Sequence, residues 1–303
     1  MRHATIGPLT IHGKVGNRHK PHASPGSATE GREIRMQDDS ATADGKPRDF
    51  VTSLEHGLSV LSSFDAANAS MSLSQVADRV GMTRAGARRY LLTLAHLGFI
   101  RRDGRSFRLT SKVLSLGYSY LSALPFSDFA MPLLEQASAA SEQTIALAVR
   151  DGAESVYTAR AIAQRSLAVT VPVGRRLPLV STSTGRAMLA FDTPEAIDQL
   201  IESSQPVQLT DKTTVDPQVL RRQLDLVRSR GYALVEQEVE VGVRSLAVPI
   251  FDNKHKVVGA VTALTSMSAI TSRQLLSDVF PIVRQTANEL ESALKAGRGD
   301  VRT

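Results

Sequence analysis

Seven arginines between Thr83 and Arg108 are the densest chemistry-bearing feature of this 303-residue chain. Arg84, Arg88, Arg89, Arg101, Arg102, Arg105 and Arg108 share that stretch with a single acid, Asp103, so it carries 7 − 1 = +6. The whole chain carries 36 − 30 = +6, because the residues before it balance 9 against 9 and those after it 20 against 20. Guanidinium groups concentrated in this way neutralise phosphates, which gives sequence-independent affinity for a polyanion. Their planar forks also match the acceptor edge of guanine in the major groove. The candidate nucleic-acid contacts are therefore Thr83, Arg84, Arg88, Arg89, Arg101, Arg102 and Arg105.

A second constellation is Val180-Ser-Thr-Ser-Thr-Gly-Arg-Ala-Met-Leu-Ala190. A hydroxyl-rich turn that opens a helix presents free N–H and Ser/Thr donors to a carboxylate or phosphate. The same residues equally make an ordinary N-cap, and the sequence leaves the two readings level. Catalytic material is thin. The chain has no GxSxG elbow, Walker loop, GxGxxG or HExxH. His255 is the one histidine of the second half, in a hairpin turn. Glu236, Glu238 and Glu240 alternate as on the solvated face of a strand. With Cys at 0 there is no thiolate metal site, disulfide or cysteine nucleophile, which fits a reducing cytoplasm. The expectation is no enzyme, no catalytic residue, no metal and no cofactor.

The arginines need elements that present them. With Leu73 as position 1 of a helix-turn-helix, Val76, Ala77, Val80, Met82, Ala87 and Tyr90 fall where two crossed helices bury apolar groups, and Gly81 falls at the left-handed turn. The motif spans about 72–91. Ser72 or Ser74 caps its first helix and Thr83 its second, which runs to about Leu97 before Gly98. Ala87, Tyr90, Leu91, Leu94 and Leu97 form one buried face. The opposite face holds Arg84, Ala85, Gly86, Arg88 and Arg89. Asp103-Gly104 then marks a hairpin over about 99–109, a wing whose arginines suit the phosphate backbone or minor groove. Ser53 to Phe64, with Leu54, Leu58, Leu61 and Phe64 in stripe spacing, supplies the preceding helix. The winged helix-turn-helix thus covers 50–111.

An apolar helix from Ser111 to Leu124 fills a linker, 112–125, and is expected to pack against a partner chain. From Phe126, over 126–298, helices alternate with strand-like runs: Thr144–Arg150, Ser155–Ala161, Leu167–Val173, Tyr232–Gln237, Arg244–Phe251 and Val257–Ala263. Helices are expected at about Asp128–Glu142, Ser183–Phe191, Glu195–Ser203, Pro217–Arg230 and Ser272–Ala296. Antiparallel hairpins with flanking helices make this an α+β domain. Residues 1–48 are polar and Gly/Pro-rich, and read as a disordered tail; His3, His12, His19 and His22 are too irregularly spaced for a metal tract. Translation is expected to start at Met36. No apolar run approaches a membrane span, so the protein is expected in the cytoplasm.

The chain resembles the IclR-type transcriptional regulators over about Asp49 to Ala296. The matching segments are Ser53-Leu-Glu-His-Gly-Leu-Ser-Val-Leu61, the helix-turn-helix and wing, Ser181-Thr-Ser-Thr-Gly-Arg-Ala187, and Arg230-Gly-Tyr-Ala-Leu-Val-Glu-Gln-Glu-Val-Glu-Val-Gly-Val-Arg-Ser-Leu-Ala-Val-Pro249. The resemblance implies a GAF-like effector-binding domain, homodimers or tetramers on palindromic double-stranded operators, and RNA polymerase as a further partner. It also implies an effector pocket at Ser183, Thr184, Val235, Ser245, Thr262 and Leu264. Some relatives have an acid where this chain has Val235, which leaves the ligand open. The Thr-Ser-Thr-Gly-Arg and Arg-Ser-Leu-Ala-Val-Pro runs look most like the PcaR/PobR branch, which controls aromatic-acid breakdown through β-ketoadipate and answers to small carboxylates. The alternatives are a regulator of another acid pathway such as glyoxylate or acetate metabolism, an enzyme acting on a small acid, and a ligand-free architectural DNA binder.

Overall fold

The computed structural model describes residue 47 and residues 49–126, 129–163 and 169–297. The tail, the Met36 start and the first residues of the Leu167–Val173 run lie outside these. The chain forms two compact units, Met1–Ser59 and Val60–Thr303.

The arginine-bearing half begins with α1 (Thr52–Ser62), β1 (Met71–Ser72), α2 (Leu73–Arg79) and α3 (Arg84–His96), followed by β2 (Ile100–Asp103) and β3 (Ser106–Leu109). Of the two candidate caps, α2 uses Ser72. Its Oγ accepts from the Gln75 N–H at 3.3 Å, while the Gln75 Oε1 accepts from the Ser72 N–H at 2.8 Å, a reciprocal capping box. Gly81, at φ 65°, makes the turn into α3. Val60, Phe64, Met71, Val76, Leu91, Leu94, Ile100 and Phe107 form the core beneath these elements. Three expected core positions, Leu97, Leu54 and Leu58, are corrected. Leu97 is exposed because α3 ends at His96 and the chain turns away. The α1 stripe is buried only at its end, by Val60 and Phe64, while Leu54 and Leu58 stay exposed. The two-residue β1 pairs with β3 as a third strand, too short for any periodicity to announce.

A 3₁₀ turn (Ser111–Val113) leads into the linker helix α4 (Leu114–Ala123), none of whose residues is buried. Next come α5 (Ala130–Ser141), β4 (Thr144–Asp151), β5 (Glu154–Ala161), β6 (Arg176–Pro178) and a 3₁₀ turn (Leu179–Ser181). They are followed by α6 (Ser183–Leu189), α7 (Pro194–Ser204), α8 (Pro217–Arg230), β7 (Ala233–Glu236), β8 (Val243–Phe251) and β9 (Val257–Ser266). The chain ends in α9 (Ser272–Gln274), which passes through a π turn (Leu275–Val279) into α10 (Phe280–Gly297). The strand expected at Leu167–Val173 is absent from its described part, and the short β6 takes its place on β5. The six-stranded sheet runs β6-β5-β4-β9-β8-β7, antiparallel throughout.

Register sorts the two faces of this sheet. Leu147, Val149, Leu246, Val248, Val261 and Ala263 pack against α5 and α10. On the other face Ala146 stands opposite Thr262, Thr262 opposite Ala247, and Ala247 opposite Ala233. One row along, Thr144, Leu264, Ser245 and Val235 are aligned in the same way. The small side chains of Ala233, Ala247 and Ala260 let α6 and α8 press close to this face. Among the described residues no helix is long and apolar enough to cross a membrane.

Candidate functional site

Thr83 caps α3, its Oγ1 accepting from the Gly86 N–H at 3.1 Å. That cap fixes the helix so that Ala87, Leu91 and Leu94 face the core and Arg84, Arg88 and Arg89 face solvent. On the wing, Asp103 pairs with Ser106, so the loop residues are Gly104 and Arg105 rather than Asp103-Gly104. Gly104, at φ 59°, supplies the positive angle at the first loop position, as a tight hairpin requires. Arg101 stands directly across from Arg108, both exposed. Like charges placed opposite one another on a strand pair destabilise it. Asp103 relieves this only in part, 3.8 Å from Arg108 with both side chains exposed. Among the described residues Arg84, Arg88, Arg89, Arg101 and Arg105 form no ion pair. A surface that leaves so many guanidinium groups without an internal counterion is one built to take anions from outside.

The hydroxyl-rich turn resolves into distinct jobs. Thr182, not Ser183, caps α6, its Oγ1 accepting from the Gly185 N–H at 3.0 Å. Ser183 and Thr184, freed from capping, reach the sheet. Ser183 Oγ lies 3.3 Å from Thr262 Oγ1, which donates to the Leu246 carbonyl at 2.9 Å. Thr184 Oγ1 lies 2.7 Å from Ser155 Oγ and donates to Thr182 Oγ1 at 3.3 Å. Val235, Ser245 and Leu264 occupy the adjacent row of the same face. Of the six residues expected at an effector pocket, Ser183 and Thr262 thus touch, Thr184 turns to Ser155, and Ser245 is half-buried beside Val235 and Leu264. Ser181 Oγ is fully buried and finds no hydrogen-bond partner among the described residues.

Two members of this cluster, Ser155 and Tyr157, escape a sequence reading. A bulge at Leu147/Ala148 pairs Ala159 with Leu147 but Tyr157 with Ala148, which moves the phenol to the hydroxyl-bearing face. Period-two counting cannot foresee that shift. Tyr157 packs with Ala146, Ala148, Val171 and Leu264 and shares a hydrogen bond with Thr184. Burial pushes its phenol above the ordinary range, against the pull of that hydrogen bond and the Arg175 charge. It therefore stays protonated at neutral pH.

Of the alternating glutamates only Glu240 is solvent-exposed. Glu238 is buried and holds Arg186 in a two-pronged pair at 2.6 and 2.7 Å. Arg186 Nε also donates to the Val180 carbonyl at 2.7 Å, and Glu238 Oε2 accepts from the Thr214 N–H at 2.8 Å. The strand ends at Glu236 and Gln237 turns at φ 60°, so the alternation stops before Glu238. Glu236 is half-buried. Burial alone would raise its carboxyl, but hydrogen bonds from Ser272 and Arg244, together with the Arg244 charge, outweigh that and hold it below the usual range. A carboxyl lowered in the folded state contributes stability that is complete above its unfolded value and is lost as pH falls through the folded one. Glu236→Gln should therefore flatten the acid limb of the stability–pH curve, measured by urea unfolding from neutral pH downward; an unchanged limb would refute the pairing.

Comparison with known proteins follows this geometry. Residues 118–292 match the bacterial transcriptional regulator IclR C-terminal model, and residues 53–104 match the IclR helix-turn-helix domain. The chain is 35% identical to the Pca regulon regulatory protein of Pseudomonas putida, over 80% of this chain and 84% of that protein. A transcriptional-regulator structure from Rhodococcus sp. RHA1 superposes with a TM-score of 0.74 at 38% identity, covering 82% of this chain and 100% of that one. The inducer-binding domain of a PobR double mutant from Acinetobacter, solved with 3-hydroxybenzoic acid, aligns with a TM-score of 0.51 at 30% identity, covering 54% and 95%. With both halves matched in this order and the helix-turn-helix, wing and six-stranded sheet in place, the chain belongs to the IclR family of transcriptional regulators.

Proposed function

We propose that this regulator controls genes for aromatic-acid catabolism of the β-ketoadipate type and responds to a small carboxylate. Its winged helix-turn-helix covers 50–111, its linker 112–125 and its effector-binding domain 126–298. Thr83, Arg84, Arg88, Arg89, Arg101, Arg102 and Arg105 contact a palindromic operator as a homodimer or tetramer in the cytoplasm, with RNA polymerase a further partner. Arg108, exposed across from Arg101, joins them on the phosphate backbone. Ser183, Thr184 and Ser245 receive the effector carboxylate, and Val235, Thr262 and Leu264 wall it in. What carries this reading is the buried chain of hydroxyls between α6 and the sheet, Ser155–Thr184–Thr182 and Ser183–Thr262. Polar groups are rarely sequestered in this number without a ligand or network to satisfy. Val171 packs with Tyr157 and Leu264 beside these hydroxyls, so the effector enters by displacing that cover.

Calorimetric titration with β-ketoadipate, protocatechuate, 4-hydroxybenzoate and glyoxylate, alone and with operator DNA, tests the reading. Saturable binding of one aromatic-pathway acid, altered by DNA, is expected, since coupling between the two sites must be reciprocal. Binding of glyoxylate alone would move the protein to another acid pathway, and no binding would overturn the effector assignment. On the DNA side, Arg88→Ala or Arg89→Ala should weaken operator binding by roughly 1–3 kcal/mol where the arginine reads a base. A fluorescence-anisotropy titration showing wild-type affinity would remove that residue from the interface.

A further inference from the structure

A cavity of about 580 Å³ opens between the linker helix and the effector-binding sheet, away from the hydroxyl cluster. Leu121 and Ser122 of α4, Phe126, Met131 of α5, Leu147 of β4 and Arg160 of β5 line it. Its size lies within the roughly 300–1,000 Å³ usual for small-molecule sites, and its walls are mainly apolar. Arg160 is the charged residue of the lining. Its Nη1 donates to the Val171 carbonyl at 2.7 Å, and among the described residues the guanidinium forms no ion pair. A half-buried guanidinium with donors to spare at the edge of an apolar chamber matches a ligand with an apolar body and one anionic end.

The neighbouring surface says which way such a ligand lies. A second cavity of about 780 Å³ shares Met131 and Arg160 with the first, but it is lined by Glu135 and Glu142. The Glu135 carboxylate disfavours an anion on that side, so the ligand body belongs in the apolar chamber with its charge at Arg160. Thr158 lines the same chamber, its hydroxyl at a long 3.5 Å from the Leu147 carbonyl, and can donate to the same anionic end.

We propose that this chamber is a second ligand site, taking a small amphipathic carboxylate, whose occupancy bears on the linker helix. One wall of the chamber is α4 and the others are α5 and the sheet, so a molecule within it touches both the linker and the effector-binding domain. A ligand that favours one arrangement of these elements shifts their equilibrium by its differential affinity. The site is independent of the reading given for Ser183 and Thr184.

Octanoate, an apolar chain with one carboxylate and no hydroxyl, is the probe, titrated calorimetrically into the full-length protein. Wild type is expected to bind it saturably. Arg160→Leu should weaken binding about tenfold or more, the loss expected of a charge-assisted hydrogen bond. Ser122→Trp, which places a ring in the chamber from an exposed helix position, should abolish it. Ser183→Ala should leave octanoate affinity unchanged. No binding by wild type, as when a second copy of the chain fills the chamber, would overturn the proposal. So would wild-type affinity in Arg160→Leu, or loss of binding in Ser183→Ala, which would place the octanoate in the hydroxyl cluster. The last result would leave the effector reading intact, while failure of the aromatic acids in the earlier titration would leave this one intact.

Discussion

Gly185→Ala is expected to destabilise the effector-binding half by about 3 kcal/mol or more, at the upper end for overpacking a tight interior. A Cβ at this position would lie 1.9 Å from the Leu179 carbonyl oxygen and 2.5 Å from its carbon. These are backbone atoms, so no side-chain rotation relieves the contact. Either α6 lifts from the preceding 3₁₀ turn or the turn moves, and both carry buried groups with them. Separation of α6 would break the Gly185–Thr182 cap and draw Ser183 and Thr184 from Thr262 and Ser155. Chemical denaturation of the variant beside wild type measures the loss. An unchanged midpoint would mean that the turn yields without cost, and the close packing assigned to α6 would be wrong. Effector affinity should fall with stability in this variant, whereas operator contacts, made by a separately packed core, should be affected less.

Glu238→Ala should be comparably damaging for an electrostatic reason. The Arg186 side chain is only 3% exposed and its partner 8%, so removing the carboxylate strands a guanidinium inside the protein. Breaking one partner of a buried pair typically costs about 3–5 kcal/mol, far more than the pair itself contributes. The double replacement Arg186→Met with Glu238→Leu removes both charges and should recover most of that loss. Urea unfolding of Arg186→Met, Glu238→Leu and the double variant beside wild type closes a thermodynamic cycle. If the double variant is no more stable than Glu238→Ala, the damage comes from the lost bonds to Val180 and Thr214 rather than from an unpaired charge.

What could be read from the residues alone was local. Thr83, Gly81 and the apolar spacing of α3 fixed the recognition element because capping, a left-handed turn and a helical face are each written in a few adjacent residues. The same holds for α8, whose bounds Pro217–Arg230 follow from Asp216 before it and Gly231 after it. Illegible features depended on partners distant in the chain. Nothing near Glu238 announces Arg186, more than fifty positions earlier, and alternation pointed instead to a solvated strand. The bulge that turns Tyr157 toward Thr184 is a property of how β4 and β5 pair, not of either strand. The strand expected at Leu167–Val173 failed differently. Its apolar residues are real, but Val169 and Val171 serve as packing over Tyr157 without joining the ladder.

The facing arginines of the wing, Arg101 and Arg108, make salt act on the protein in two opposite directions. Dissolved ions screen exposed charges over a length of about 10 Å at moderate ionic strength, so they weaken without removing the repulsion between these facing guanidinium groups and firm up the free hairpin. The same ions compete for the phosphates and loosen the grip on DNA. A wing of this kind is stiffest where it binds least, and in dilute salt it is an uneasy hairpin awaiting its counterion. The duplex then becomes part of what folds it, the missing anion arriving with the operator.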